Sequence, residues 1–204
     1  MFKKIASDAL GLSDIGKIIK PEDFDKTQSD DFVRHEDNEK IYFLIMTKSD
    51  EYCFTNLGLI HIDGQNAISS KRVMKRYPYF QFDVSDVKLE TAGKIDLDVE
   101  IKFNLGSVPF SIDVDKKQVD ELKDLYKALL YISEKVYENK IMLKMANDSL
   151  DKAVQVLHNS RIGEQDLAKQ FQALTEFSFN WLDSSKNQLH EKDFGSVFEK
   201  YINN

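Results

Sequence analysis

The most constraining feature of the sequence is a series of short apolar segments between residues 40 and 114, each ended by residues that favour turns. The segments are rich in β-branched and aromatic residues, and Asp63-Gly64 is a strong signal for a tight hairpin. We predict seven strands, namely Lys40–Met46, Glu51–Thr55, Leu59–Ile62, Ala67–Arg76, Phe82–Glu90, Ile95–Phe103 and Val108–Val114. Short strands joined by tight turns form antiparallel meanders, so the pattern predicts a sandwich or a partly open barrel.

A long helix is predicted directly after the last strand, because the chain contains no Gly and no Pro from Asp115 to Ser160. Asp115 can cap its first turn. Apolar residues recur every three and four positions along it, which is the spacing of coiled-coil packing. We predict that its second half carries an oligomerisation seam formed by Leu143, Ala146, Leu150, Ala153 and Leu157.

One polar residue within the apolar series leaves open whether this helix is continuous. Asn139 is strongly polar, and a polar residue in a coiled-coil seam can fix its register or its oligomeric state. Alternatively, Glu138–Lys140 marks the point where a helix that plugs the sheet ends and a separate helix begins. Residues 117–158 therefore form one helix or two, and we slightly favour a bend or break.

Two further helices are predicted after Arg161-Ile162-Gly163. The first runs from about Glu164 to Ser184, with Leu167, Phe171, Leu174, Phe177 and Trp181 on one face. The second covers roughly Glu191–Tyr201, with Phe194, Val197, Phe198 and Tyr201 directed inward. Amphipathic helices of this total length bury little core by themselves, so residues 139–204 need the sheet domain or other copies of the chain.

The N-terminal part is predicted to be helical and then irregular. Residues 2–19 place apolar side chains at mostly helical spacing, which indicates a short helix or two packed on the main fold or on a neighbouring subunit. Because Lys3, Lys4, Lys17 and Lys20 flank the apolar face, an interfacial membrane anchor is the alternative. Residues 22–39 hold eight acidic residues without a calcium-loop pattern, and we predict a solvated lead-in there.

A cluster of cations contrasts with the net charge of −7. Lys71, Arg72, Lys75 and Arg76 lie within six residues of the predicted fourth strand, where alternation places charge on both faces. This arrangement indicates an edge strand or a projecting hairpin. Such a cluster could bind an anion, a lipid headgroup or an acidic partner, or it could simply protect the edge of the sheet.

The sequence contains no motif that indicates catalysis, a metal site or a cofactor. Its four histidines form no metal-binding pair, and the single Cys53 excludes a disulfide framework or a cysteine-rich zinc site. No glycine-rich nucleotide loop is present. The acidic balance argues against nucleic acid as a partner. No apolar run is long enough to cross a membrane, so we expect a cytoplasmic protein, with peripheral membrane association as the alternative.

The succession of segments EKIYFLIMTKSDEYCFTNLGLIHIDG, SSKRVMKRYPY, DVSDVKLETAGKIDLDVEIKF and FSIDVDKK, followed at once by a helix, resembles the bacterial pleckstrin-homology-like family. The helical tail resembles the oligomerisation extension of the YvbH-like subgroup. This resemblance implies a seven-stranded antiparallel barrel capped by a C-terminal helix, and then a helical extension that promotes self-assembly. It brings no catalytic residues.

We therefore expect an α+β chain with two parts. Residues 1–138 would form the pleckstrin-homology-like domain with its N-terminal segment, and residues 139–204 the helical oligomerisation extension. The expected function is that of a non-enzymatic, homo-oligomeric interaction or scaffold module. The alternative is peripheral membrane or anionic-ligand binding through the basic strand 71–76.

Overall fold

The computed structural model describes residues 15–64, 72–91, 98–159 and 167–202, and it has the α+β composition that the sequence predicts. Two antiparallel sheets come first and three helices follow. No helix within the described ranges is long and apolar enough to cross a lipid bilayer.

The larger sheet has five strands in the order of the chain. They are β1 (Lys17–Ile18), β2 (Ile41–Met46), β3 (Glu51–Thr55), β4 (Gly58–Asp63) and β5 (Val73–Pro78). The turn between β3 and β4 is tight because the Thr55 hydroxyl accepts hydrogen bonds from the N–H groups of Leu57 and Gly58, both at 3.1 Å. A Cβ atom on Gly58 would lie 2.5 Å from the carbonyl oxygen of Tyr77 in β5, so only glycine fits there.

The smaller sheet contains β6 (Val84–Glu90), β7 (Asp98–Leu105) and β8 (Val108–Asp115). Exposure alternates strictly along β7, whose apolar residues are buried while its charged residues are partly exposed. This alternation confirms the prediction of a strand with one solvated face. Gly106 makes the turn into β8 with a φ of +58°, a value that favours glycine.

Among the described residues, backbone hydrogen bonds join the two sheets on one side, at Gly16. The N–H of Gly16 donates to the carbonyl of Asp113 at 2.7 Å, and the N–H of Asp115 donates to the carbonyl of Gly16 at 3.0 Å. On the other side, β5 and β6 are the edge strands of their sheets. The prediction of a seven-stranded barrel therefore needs correction, since the described residues form eight strands in two sheets that do not close.

The additional strand comes from the N-terminal segment. The apolar spacing of residues 2–19 predicts helix, but Lys17 and Ile18 pair with Met46 and Ile45 of β2. The helix prediction is wrong there because the backbone of this short stretch forms hydrogen bonds to the sheets, which apolar spacing does not reveal. The remainder of that prediction, up to residue 14, lies outside the described residues.

The acidic segment after β1 is more ordered than a solvated lead-in. It forms three 3-10 helices, Pro21–Lys26, Ser29–Phe32 and His35–Asp37. Val33 is buried in a core cluster with residues of β2, β3 and β4, and Phe24 packs against that cluster. The segment is thus part of the β fold.

The first helix, α1, runs unbroken from Val119 to Asn159. Leu122, Leu125, Leu129 and Ile132 near its start are buried. The prediction of a break near Glu138–Lys140 is wrong. Asn139 lowers helix stability by only a few tenths of a kcal/mol relative to its neighbours, and no Gly or Pro interrupts the backbone hydrogen bonds of the helix. As predicted, the Asp115 carboxylate accepts a hydrogen bond, from the N–H of Lys117 at 2.9 Å, at the 3-10 turn that leads into α1.

Two helices complete the chain, α2 (Leu167–Leu189) and α3 (Gly195–Ile202). The chain divides into two compact units, which we call the β unit and the helical unit. The β unit contains the residues up to Glu134 together with those from Lys192 onward, and the helical unit contains Lys135–Glu191. The division at 138/139 stays a prediction, and in the structure α3 is grouped with the β unit.

Candidate functional site

The basic cluster lies at β5, the edge strand of the larger sheet, and its described cations contact carboxylates of the same chain. Lys75 lies 2.8 Å from Asp63, Arg76 lies 2.7 Å from Glu39, and Arg72 lies 3.7 Å from Glu51. Lys71 falls outside the described residues. The structure therefore brings Lys75 and Arg76 onto β5 and Arg72 to the residue just before it, each with an acidic partner.

Glu39, the partner of Arg76, is a buried carboxylate with a full set of donors. The Thr55 hydroxyl donates to it at 2.7 Å and the N–H of Arg34 at 2.9 Å. Burial by itself would raise the pKa of Glu39, but the hydrogen bonds from Arg76, the Arg34 backbone and Thr55 outweigh burial and lower it. Arg76 also donates to the carbonyl oxygen of Phe32, so it joins β5 to the 3-10 segment.

Glu51 of β3, the partner of Arg72, is a second buried carboxylate that holds the 3-10 segment against the sheet. Its carboxylate accepts hydrogen bonds from the N–H and the hydroxyl of Ser29, both at 2.8 Å. Arg72 also donates to the side chain of Gln28 at 2.6 Å. Arg72 and Arg76 therefore fasten residues 28–39 to the sheet.

These pairings bear on the anion-binding alternative. An external phosphate or lipid headgroup would have to compete with carboxylates of the chain, two of which are buried and held by further hydrogen bonds. Anionic-ligand or membrane binding through this strand remains a prediction.

The single thiol lies in the core. Cys53 is fully buried in β3, and burial raises the pKa of its thiol. A buried thiol with a raised pKa is a poor nucleophile, as the sequence predicts. His61 stacks on Tyr52 with a ring separation of 4.6 Å and contacts the Asp50 carboxylate at 3.1 Å, so it too is satisfied within the fold.

The return of α3 to the β unit is held by contacts that the sequence pattern does not reveal. Phe194 and Phe198 are fully buried, and their rings contact Tyr79. Phe198 also stacks on Tyr42 at 5.4 Å. The N–H of Phe194 donates to the carbonyl of Asn56 at 2.9 Å, which fixes the start of the helix. Of the positions predicted to point inward, Phe194, Val197 and Phe198 are buried in the β unit and Tyr201 is half-buried.

The helical unit has a different character. None of its residues with described side chains is buried, whereas the β unit contains all the buried residues of the described ranges. Large apolar side chains are instead exposed on both of its helices: Tyr137, Ile141, Met142, Met145, Val154, Phe171, Phe177 and Phe179. Large exposed apolar side chains in such number are typical of interaction surfaces.

The predicted seam is only partly covered. Leu143, Ala146 and Leu150 are half-buried along one face of α1, and Ala153 is exposed. Leu157 belongs to α1, but its side chain lies outside the described part of the chain.

The predicted apolar face of α2 is also divided. Leu174 and Trp181 are half-buried, but Phe171 and Phe177 are 72% and 65% exposed although the spacing predicts them on the same face. Phe179, 69% exposed, was missed because it lies outside the predicted stripe. The helix therefore presents aromatic side chains to solvent that its own unit does not cover.

An open pair of antiparallel sheets with a long helix behind the last strand is the arrangement of a pleckstrin-homology-like fold. The chain matches the family model described as "Bacterial PH domain" over residues 9–133 and the one described as "YvbH-like oligomerisation region" over residues 144–204. It belongs to the bacterial PH-domain family and carries the YvbH-like oligomerisation region.

The similarity extends over the whole chain. The chain is 67% identical over 204 residues to the uncharacterized protein YvbH of Bacillus subtilis (strain 168), and the match covers 100% of both chains. The crystal structure of a PH-domain-containing bacterial protein from Exiguobacterium sibiricum 255-15 matches with a TM-score of 0.86 and 55% identity. That match covers 92% of this chain and 99% of the other. The matched family models include no catalytic family.

Proposed function

We propose that the protein is a non-enzymatic module that assembles with copies of itself through its helical unit. The observation that carries the proposal is the absence of any buried residue among the described side chains of residues 135–191, together with the exposed aromatic and methionine side chains on both helices. Helices of this kind gain a core only by association.

The partner is a second copy rather than an unrelated protein because the surface overlaps the matched oligomerisation region. That region covers residues 144–204 and therefore includes the three exposed phenylalanines of α2. Most soluble assemblies of one chain are closed and symmetric, so a surface present on every copy is used on every copy.

The proposal is tested by the mass of the full chain in solution, measured by light scattering during gel filtration over a range of concentrations. We expect an oligomer, and we expect the triple substitution Phe171→Ser, Phe177→Ser and Phe179→Ser to shift it towards the monomer. Because these side chains are exposed in the single chain, their removal should not unfold it.

The matched control is the pair Gln172→Ser and Asn180→Ser, which removes exposed polar side chains from the same helix. The control should keep the wild-type mass. A wild-type chain that stays monomeric at micromolar concentration would contradict the proposal, as would a triple variant that keeps the wild-type mass.

A further inference from the structure

The second half of α1 carries a further apolar stripe on the face opposite to the predicted seam. At 3.6 residues per turn, Tyr137, Ile141 and Met145 point roughly 180° away from Leu143 and Leu150. The three side chains of this stripe are 66%, 43% and 58% exposed. A helix cannot bury two opposite apolar faces against one neighbour, so the stripe requires a contact of its own.

Two opposite charges flank the stripe. Glu138 and Lys144 lie roughly 60° to either side of its centre on the helical projection. Both side chains are exposed, and within the described parts of the chain neither forms an ion pair. They are six positions apart, so they point in different directions on their own helix and cannot reach each other there.

The charges are complementary to those of a second copy of the same helix in parallel orientation. In a parallel pair, a residue on one flank of the contact meets a residue on the opposite flank of the partner, as e and g positions do in coiled coils. Glu138 of one copy would then face the Lys144 side chain of the other, and the reverse, on the two sides of the stripe. In an antiparallel pair like flanks meet, so Glu138 would face the same residue of the other copy.

We propose that two copies of α1 pack in parallel through Tyr137, Ile141 and Met145, with Glu138 of each opposite Lys144 of the other. The inference rests on the proposed self-assembly and assigns part of it to a face that the sequence did not predict. The contact adds to the one made by the phenylalanines of α2, so each chain touches its neighbours through two surfaces.

Charge exchange in the full chain tests this arrangement. Glu138→Lys and Lys144→Glu should each weaken association by about tenfold at low ionic strength, because a symmetric pair then holds two repulsive contacts in place of two attractive ones. The double variant should associate like the wild type. An equimolar mixture of the two single variants should also associate, because each then supplies the charge that the other lacks.

Disulfide trapping provides a measurement that does not depend on charge. In a parallel pair in register, residue 141 of one copy lies beside residue 141 of the other, so Ile141→Cys should form a covalent dimer on mild oxidation. The control Asn147→Cys places a thiol at an exposed position of the same helix, roughly 120° from the centre of the stripe on the helical projection. It should cross-link far less, and the native Cys53 is buried and should not contribute.

The outcomes separate the two proposals. A monomeric wild-type chain would overturn both. Two results would overturn the parallel α1 contact and leave self-assembly through α2 intact. One is an oligomeric wild-type chain whose association is unaffected by either single charge substitution. The other is an Ile141→Cys variant that cross-links no more than the Asn147→Cys control.

Discussion

The guanidinium of Arg76 lies 2.7 Å from the carboxylate of Glu39, a side chain that is fully buried just before β2. The two residues are 37 positions apart, and their contact joins the edge strand β5 to the acidic segment before β2. The described cations of the basic cluster, Arg72, Lys75 and Arg76, are thus each paired with a carboxylate of the same chain.

Arg76→Ala should destabilise the β unit by about 2–4 kcal/mol, because it leaves the buried Glu39 charge without its main partner. The change is measured as the free energy of unfolding in urea, followed by circular dichroism. Lys75→Ala is the control from the same strand, and it should cost less than about 1 kcal/mol since its pair with Asp63 is partly exposed. Equal losses in the two variants would contradict the role of Arg76.

The pairing also predicts a pH dependence. The pKa of Glu39 is lowered in the folded chain, so its carboxylate stabilises the fold above the unfolded value of about 4.5, and this contribution disappears as the pH falls through the folded pKa. The difference in unfolding free energy between the wild type and Glu39→Gln should therefore be largest near pH 7 and shrink below pH about 4.5. Glu36→Gln, an exposed position nearby, is the control. A Glu39→Gln difference that grows on acidification would contradict this account.

The anchoring of α3 predicts that the last residues stabilise the β unit. Phe198→Ala should cost about 3–5 kcal/mol, because a fully buried ring that contacts Tyr42 and Tyr79 is removed. Phe32→Ala removes a ring that is 41% exposed and should cost less than about 1 kcal/mol. Urea unfolding is measured at a protein concentration where both variants have the same oligomeric mass, so that the effect on folding is separated from any effect on association. A small loss for Phe198→Ala would contradict the docking of α3.

The elements that could be predicted from the sequence are those whose signal is local. Alternation along β7 predicts a strand, and apolar spacing of three and four residues predicts that α1 is helical, although it did not predict that α1 is unbroken. β1 could not be predicted because two residues of strand carry no period, and they are defined by backbone hydrogen bonds to β2 and by the neighbouring contact of Gly16 with β8.

The candidate site was predicted less well, because its contacts join distant parts of the chain. The seam spacing on α1 indicated one apolar face, whereas the exposed stripe that begins at Tyr137 is interrupted by charged residues and has no heptad pattern. The cations at β5 were recognised, but their hydrogen-bond partners lie 12 to 44 positions away in the sequence, from Asp63 for Lys75 to Gln28 for Arg72. No local rule relates residues at such separations.

Cys53 gives the last prediction. The thiol is fully buried in β3, and burial raises its pKa, so few thiolates form at neutral pH and no reagent reaches the sulfur. A disulfide-exchange reagent at pH 8 should therefore not react with the native protein, and it should titrate one thiol per chain after unfolding in guanidinium chloride. Cys53→Ser is the control for background absorbance. Stoichiometric reaction of the native chain within minutes would contradict the burial of Cys53 and the packing of β3 between β2 and β4.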